Sequence, residues 1–411
     1  MRPEVFTKDV EEKRANRLLV DAVCAVSASF LNDPPLRPGI PPSEYGVAFA
    51  NRAKSQVIDT FTCLNLATVQ DCVLLAYIEF GSNRDSGLWL FLGIAIRMVQ
   101  DLGLQKLEGI RANRGARCFR RVKVEGSGLE KDGCSEEDWS GEDASEVKAR
   151  ERERADTFWA VFFLDRVILS GMGRPVAIRD EEIEIDFPED AGPEHGYPPP
   201  FPALMRTIQL YGMVSDLLNS IRDLHTVAPK TLQRLLAMEA NLTKVYHGLS
   251  PKLKLNLPNF RHYADINQST IFMLLHVWFH SLIVLLYQPT LLAALNPASH
   301  ELSMSSSAKA IADILVFAKL VDSKALNGNP FTSQPIYIAA CAFLEEIAPH
   351  SSSNPTPHQK LTTKHALLTQ AAHQNHQLCY ETLKLKETHW GRVKYILTVM
   401  DQKAVVGRWV E

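Results

Sequence analysis

Between Glu146 and Asp190 the chain runs from a charged stretch through strongly apolar residues to a Gly-Met-Gly-Arg-Pro stop and an acidic tail. Phe158, Trp159, Phe162 and Phe163 form two adjacent pairs four residues apart, which sets them on one face of a helix. Val161, Leu164, Ile168 and Leu169 fill much of the remaining circumference, so the spacing predicts a helix inside a large core. Asp165 and Arg166 interrupt that run and need partners if they are buried. Gly171 and Gly173 suit a helix C-cap, and Pro175 prevents the helix from resuming. From Arg179 to Asp190, Glu182, Glu184 and Asp186 alternate with Ile183, Ile185 and Phe187. That is the pattern of an extended segment with one wet face.

Helical periodicity dominates elsewhere. Leu18, Leu19, Ala22, Val23, Val26 and Phe30 predict a helix over Asp9–Asn32. Prolines at 34, 35, 38, 41 and 42 then make a stiff connector, and Ser43 is placed to cap a helix reaching about Thr62. Thr68–Phe80 and Ser86–Leu102 read as an antiparallel pair joined by Gly81–Asp85. In the second helix Leu88, Phe91, Leu92, Ala95, Met98 and Val99 form the apolar stripe, Arg97 falls on the polar side and Gly103 stands as the C-cap. Further helices are predicted over 201–224, 229–248, 264–288, 303–326, 335–347 and, with breaks, 359–400. No succession of alternating strands appears. The fold class is therefore all-α: an N-terminal helix and connector over 1–42, then a single large irregular multi-helical domain over 43–411.

Gly109–Ala144 breaks the pattern. Its first half is basic, its second acidic, and aliphatic residues are few, so it reads as a disordered charged insertion. The basic half allows a nuclear-import or phosphate-contacting role; a solvated loop whose halves attract each other is the simpler reading.

Composition narrows the classes. Hydrophobic residues make up 46% and charged residues 22%, ordinary for a globular chain, and a net charge of −3 supplies no global field for nucleic acid. Seven cysteines without a C-x-x-C pair suggest reduced thiols in a cytosolic or nuclear protein. The N-terminus shows no apolar signal segment, so secretion is not expected. Ile271–Tyr287 is short of the ~20 apolar residues of a membrane span and carries His276, His280 and Ser281, which favours a buried core helix and no membrane.

Candidate chemistry is sparse. His276 and His280 share a helix face at a metal-binding spacing, yet Val277 stands where a zinc protease needs Glu, and no Cys or carboxylate on that helix completes a site. They read as hydrogen-bonded core or pocket histidines. Ser170-Gly171-Met172-Gly173 lacks the pattern of a nucleophile elbow, and no phosphate-cradling glycine loop exists. Catalytic, cofactor-binding and metal residues are thus assigned nowhere, and an enzyme is not expected.

Three ordered stretches carry a resemblance: LWLFLGIAIRMVQDLGLQ (Leu88–Gln105), RERADTFWAVFFLDRVILSGMGRPVAIRDEEIEIDFP (Arg152–Pro188) and HVWFHSLIVLLYQP (His276–Pro289). Together they resemble the regulatory domain of fungal binuclear zinc-cluster transcription factors, the middle homology or xylanolytic-activator-type region. Its signatures fall on Arg97, Asp101 and Gly103, then on Phe158, Trp159, Asp165, Arg166, Gly173, Arg174 and Pro175. Tyr287 and Gln288 depart from the usual His and Arg, while Trp390-Gly391 matches the closing helix. The six-cysteine cluster, basic linker and coiled coil of the family are missing, so zinc is expected only in that absent cluster and no cofactor in this chain.

The resemblance implies a nuclear regulatory part without its DNA reader, either a shortened product or a paralogue acting through others. Its implied partners are the transcription machinery or a full-length zinc-cluster protein, with a small-molecule inducer, a homodimer and only indirect DNA contact allowed. The competing class is an all-α small-molecule-binding protein or enzyme with no DNA role. The helices around Phe158–Phe163 and Ile271–Tyr287 are either pocket walls, with His276 and His280, or simply core. Arg174 reads as a clamp on a helix end with Asp165 or Asp101, or as a contact for a ligand phosphate or carboxylate.

Overall fold

Short polar side chains start the helices. Asn16, Asn65 and Asn256 each accept a hydrogen bond from an amide two or three residues on, at 2.8–2.9 Å, satisfying donors that a helix N-terminus leaves open. The computed structural model describes residues 2–31, 39–58, 60, 63–111, 116–118, 143–171, 173–188, 196–221, 229–287, 297–347 and 363–409. The fold is all-α. The helices are α1 Pro3–Glu11, α2 Arg17–Ser27, α3 Val47–Val57, α4 Leu66–Gly81, α5 Asp85–Asp101, α6 Leu107–Arg111 and α7 Ala144–Leu164. They continue as α8 Pro200–Asn219, α9 Pro229–His247, α10 Leu257–Asp265, α11 Ser269–Leu286 and α12 Pro297–Val321. The last are α13 Lys324–Asn327, α14 Ser333–Ile347, α15 Thr363–Glu387 and α16 Val393–Trp409.

Contacts divide the chain into two units: Met1–Leu169 with Val176–Pro188, and Ser170–Pro175 with Glu189–Glu411. This division does not follow the boundary at 42 suggested by the proline-rich connector. Arg2 pairs with Glu146 and Glu153 of α7, and Arg52 of α3 pairs with Asp21 of α2, so the N-terminal helices belong to the first unit.

In the first unit α4 and α5 form the expected hairpin through Ser82-Asn83-Arg84, with Asn83 at φ 58°. Arg84 holds the buried Glu79 carboxylate with two bonds of 3.0 and 3.1 Å, and Lys54 joins it. α7 packs on α4, α5 and α6. The predicted helix over 9–32 is broken, because Lys13 takes φ 60° between α1 and α2. Ser43 lies in a 3₁₀ turn, and Gly46 precedes α3 instead.

The expected disordered insertion is corrected at two places. Residues 109–111 close α6 with Gly109 and Ile110 buried, and Ala116–Cys118 forms a strand. That strand is antiparallel to Cys63–Asn65, with Cys63 opposite Cys118. Gly109 is required by close approach: a Cβ there would stand 1.9 Å from the Gly103 carbonyl oxygen, and Gly103 itself turns at φ 66°. The stretches 112–115 and 119–142 lie outside the described residues.

In the second unit α11 is the core element, packed by α8, α12 and α14. It is long and apolar enough to cross a membrane by composition, but 78% of it is buried within the protein. The helix predicted over 264–288 is two helices, parted where Asn267 takes φ 57°. Near the C-terminus Lys386, fully buried, donates from Nζ to the carbonyls of Leu326 and Asn329, and Trp390 donates from Nε1 to Asn327 at 2.7 Å. These side chains satisfy the carbonyl end of α13.

One buried charge of the first unit has no such partner. Asp71 of α4 is wholly buried, neither carboxylate oxygen has a hydrogen bond, and burial pushes its pKa up to about 8. Between about pH 4 and that value the unfolded chain has released this proton while the native chain keeps it, so the Asp71 contribution to stability falls as pH rises. Asp71→Asn should therefore melt close to the native chain near pH 4 and above it at pH 8. Parallel pH profiles of the two melting temperatures would contradict this account.

Candidate functional site

The apolar run that marks residues 158–169 ends α7 and then widens into a π-helical turn, Asp165–Ser170. Phe158, Trp159 and Phe162 are buried with edge-on ring contacts at 5.1 and 5.2 Å, as core residues pack. Asp165 and Arg166 are almost completely withdrawn from water. Arg166 Nη1 donates to Asp165 Oδ2 at 2.6 Å, and Nη2 to Asp180 Oδ1 at 2.6 Å. Its guanidinium also covers the Phe162 ring at 4.3 Å. Asp165 further accepts the Ala177 and Ile178 amides at 3.0 and 3.2 Å. Burial holds the Asp165 carboxyl above the usual carboxylate range, opposed only in part by the Ala177 amide and Arg166.

This arrangement pins the acidic arm. Ile185 is buried, Glu184 and Asp186 are exposed, and Phe187 stacks on Trp159 at 4.8 Å, as the alternation predicts. The Glu184 amide donates to the Gln105 carbonyl at 2.8 Å. Arg154, just upstream, donates to the buried Gly109 carbonyl at 3.0 Å. The arginine on Asp165 is therefore Arg166, its neighbour in sequence. Arg174 is exposed, as are Gly173, at φ 69°, and Pro175. Arg97 is exposed on α5 and Asp101 is half-buried at its end.

His276 and His280 sit on α11 in the second unit. Tyr246 Oη lies 3.0 Å from His276 Nδ1, and the Tyr246 ring stacks on Phe279 at 3.6 Å. Burial, reinforced by His280, lowers His276 to about 3, with the Leu253 backbone opposing; burial alone lowers His280 to about 4. Both rings are neutral at physiological pH. Among the described residues no group of three His, Cys, Asp or Glu could hold a metal ion. Tyr287, which departs from the resembled pattern, hydrogen-bonds Glu239 of α9.

A cleft of about 880 Å³ opens elsewhere in this unit, and neither histidine lines it. α8 contributes Ala203, Arg206, Leu210 and Met213, and α9 contributes Asn241, Lys244 and Val245. Each set recurs at three- and four-residue steps, so each helix turns one face to the cleft. Gly248–Ser250, Leu253, Gly196 and Pro198 complete the described lining. Sequence reasoning missed this site, because its residues are unremarkable until α8 and α9 are known to pack together.

A family model described as the fungal-specific transcription factor domain matches residues 4–280, more than half of the chain. The chain belongs to this family. Among similar proteins, the transcriptional activator protein acu-15 of Neurospora crassa is 28% identical over 178 residues, 39% of this chain and 19% of that protein. The Zn(2)-C6 fungal-type transcription factor FTF1c of Fusarium oxysporum is 27% identical over 172 residues, 42% of this chain and 16% of its own length. An uncharacterised transcriptional regulatory protein of Schizosaccharomyces pombe is 26% identical over 182 residues, 44% of this chain and 22% of that protein. The matched stretch thus spans about a fifth of these relatives. No solved structure matches.

Within this fungal transcription factor domain the two arginines of the signature should separate cleanly. Arg166→Met leaves Asp165 and Asp180 without their cation and should cost about 3–5 kcal/mol. Arg174→Ala, at an exposed position, should change stability by less than about 1 kcal/mol. Urea unfolding of both variants beside the native chain measures the contrast, and equal losses would remove Arg166 from its place as the clamp.

Proposed function

We propose that this chain is the regulatory, effector-responding domain of a fungal zinc-cluster transcriptional regulator that acts in the nucleus. DNA would be reached through a zinc cluster outside these residues or carried by a partner protein. The observation that carries the reading is the family match over residues 4–280, within which the clamp at Asp165 and Arg166 and the cleft between α8 and α9 both fall. Relatives named as transcriptional activators and Zn(2)-C6 factors support it. Among the described residues that line the cleft, Ser250 has no imidazole or carboxylate beside it to activate its hydroxyl, which favours binding over chemistry. A net charge of −3 agrees with DNA being reached indirectly.

Fusion of residues 1–411 to a heterologous DNA-binding domain, with a reporter in a fungal host, tests this. The fusion should change reporter output at least about fivefold relative to the DNA-binding domain alone in one growth condition. A fluorescently tagged chain co-expressed with its zinc-cluster partner should collect in the nucleus. Reporter output indistinguishable from the control in every condition would overturn the regulatory reading.

A further inference from the structure

In the ribbon beside α4, cysteine stands opposite cysteine. Cys63–Asn65 and Ala116–Cys118 run antiparallel, and their register sets Cys63 against Cys118, Leu64 against Arg117 and Asn65 against Ala116. Directly opposite residues of an antiparallel pair share a face and have Cα atoms about 4.5–5.5 Å apart. A disulfide spans Cα separations of about 4.4–6.8 Å, so this register meets its backbone requirement. A slip of one residue would move the two cysteines to opposite faces. With seven cysteines in 411 residues, the pairing does not follow from composition.

The ribbon has one firm strand. Asn65 ends it and caps α4 by accepting the Thr68 amide at 2.9 Å, and Leu64 is buried. Its partner strand has three residues, and a two-stranded ribbon is marginal by itself in water. The charged sequence over 119–142 follows directly after Cys118. A covalent bond at this end of the ribbon would fix the point from which that sequence departs. The described thiols of the first unit compete poorly. Cys72 is wholly buried, and burial, with Asp71 beside it, pushes its thiol up to about 12; Cys24 is half-buried on α2.

We propose that Cys63 and Cys118 form a reversible disulfide site that fastens the ribbon to α4. A small-molecule disulfide such as oxidised glutathione closes it, and the reduced thiol opens it. One cysteine thiolate attacks a sulfur of oxidised glutathione, displaces a glutathione thiolate and leaves a mixed disulfide. The other cysteine thiolate attacks the protein sulfur of that mixed disulfide and releases the second glutathione. Two protein thiols are thereby oxidised, one oxidised glutathione is reduced to two thiols, and the two cysteine protons pass through solvent to the departing thiolates. The bond closes a loop containing α4, α5 and α6, which restricts the unfolded chain. The site stands independently of the regulatory reading.

The test is a disulfide map of the full chain, reduced, desalted, incubated with oxidised glutathione, alkylated and digested without reductant. The peptide carrying Cys63 should be joined to the peptide carrying Cys118 as the dominant cross-link, and dithiothreitol should remove it. The same oxidation in concentrated urea should give mixed pairings, because the folded register selects the pair. The oxidised chain should melt about 5 °C or more above the reduced chain. That difference should vanish in Cys118→Ser and persist in Cys134→Ser. Should Cys118→Ser fail to fold, the map of the native chain carries the test. Dominant pairing of Cys63 with any other cysteine, glutathione adducts without a cross-link, or a melting temperature unmoved by oxidation would each overturn the proposal.

Discussion

An aspartate and an arginine adjacent in sequence, Asp165 and Arg166, are buried together at the end of α7, and the first unit is arranged to satisfy them. Removing two charges from water costs several kcal/mol each, so they are tolerable only when every strong donor and acceptor is engaged. The π-helical turn, the amides of Ala177 and Ile178, the Asp180 carboxylate and the Phe162 ring meet that demand. The acidic arm is thereby fixed by polar geometry at its start and by Phe187 on Trp159 at its end. A neutral pair of the same size would pack as tightly without dictating where residues 177–180 must lie.

Elsewhere buried polar groups are handled in contrasting ways. Glu79 has two cations, and Lys386 has two backbone carbonyls, which favour its charged form while burial lowers its pKa to about 7. His276 is kept neutral and used as a hydrogen-bond partner for Tyr246. Asp71 has no partner, and its proton is the means by which it stays uncharged. Fixed pairs hold the geometry, whereas Asp71 couples the first unit to pH. In the second unit, Tyr246 and His276 tie α9 to α11 beside the residues of α9 that line the cleft.

The candidate site was less legible than the fold. The demand that Asp165 and Arg166 find partners follows from their place in an apolar run, but the sequence does not say that they are each other's partner. A helical extrapolation past Leu164 does not anticipate the π turn that aims Arg166 at Asp180. Gly109 and Ile110 looked like the start of a polar insertion, and only the approach of Gly103 to within Cβ distance shows why residue 109 is glycine. Helix breaks at Lys13 and Asn267 were missed because both are non-glycine residues at positive φ, where local propensity is a weak guide.

What the sequence by itself determined is the all-α class, the α4–α5 hairpin, the Gly103 turn, the alternating arm, the core character of α11 and the family signatures. Each depends on local spacing, which a helix or extended segment converts directly into a buried face. Only the tertiary structure decided that Arg166 joins Asp165 to Asp180, that Asp71 has no hydrogen bond, and that Arg206 and Lys244 line one cleft. Arg166 and Asp180 stand 14 residues apart, and Arg206 and Lys244 stand on separate helices; spacing along one element says nothing of which partner another element delivers.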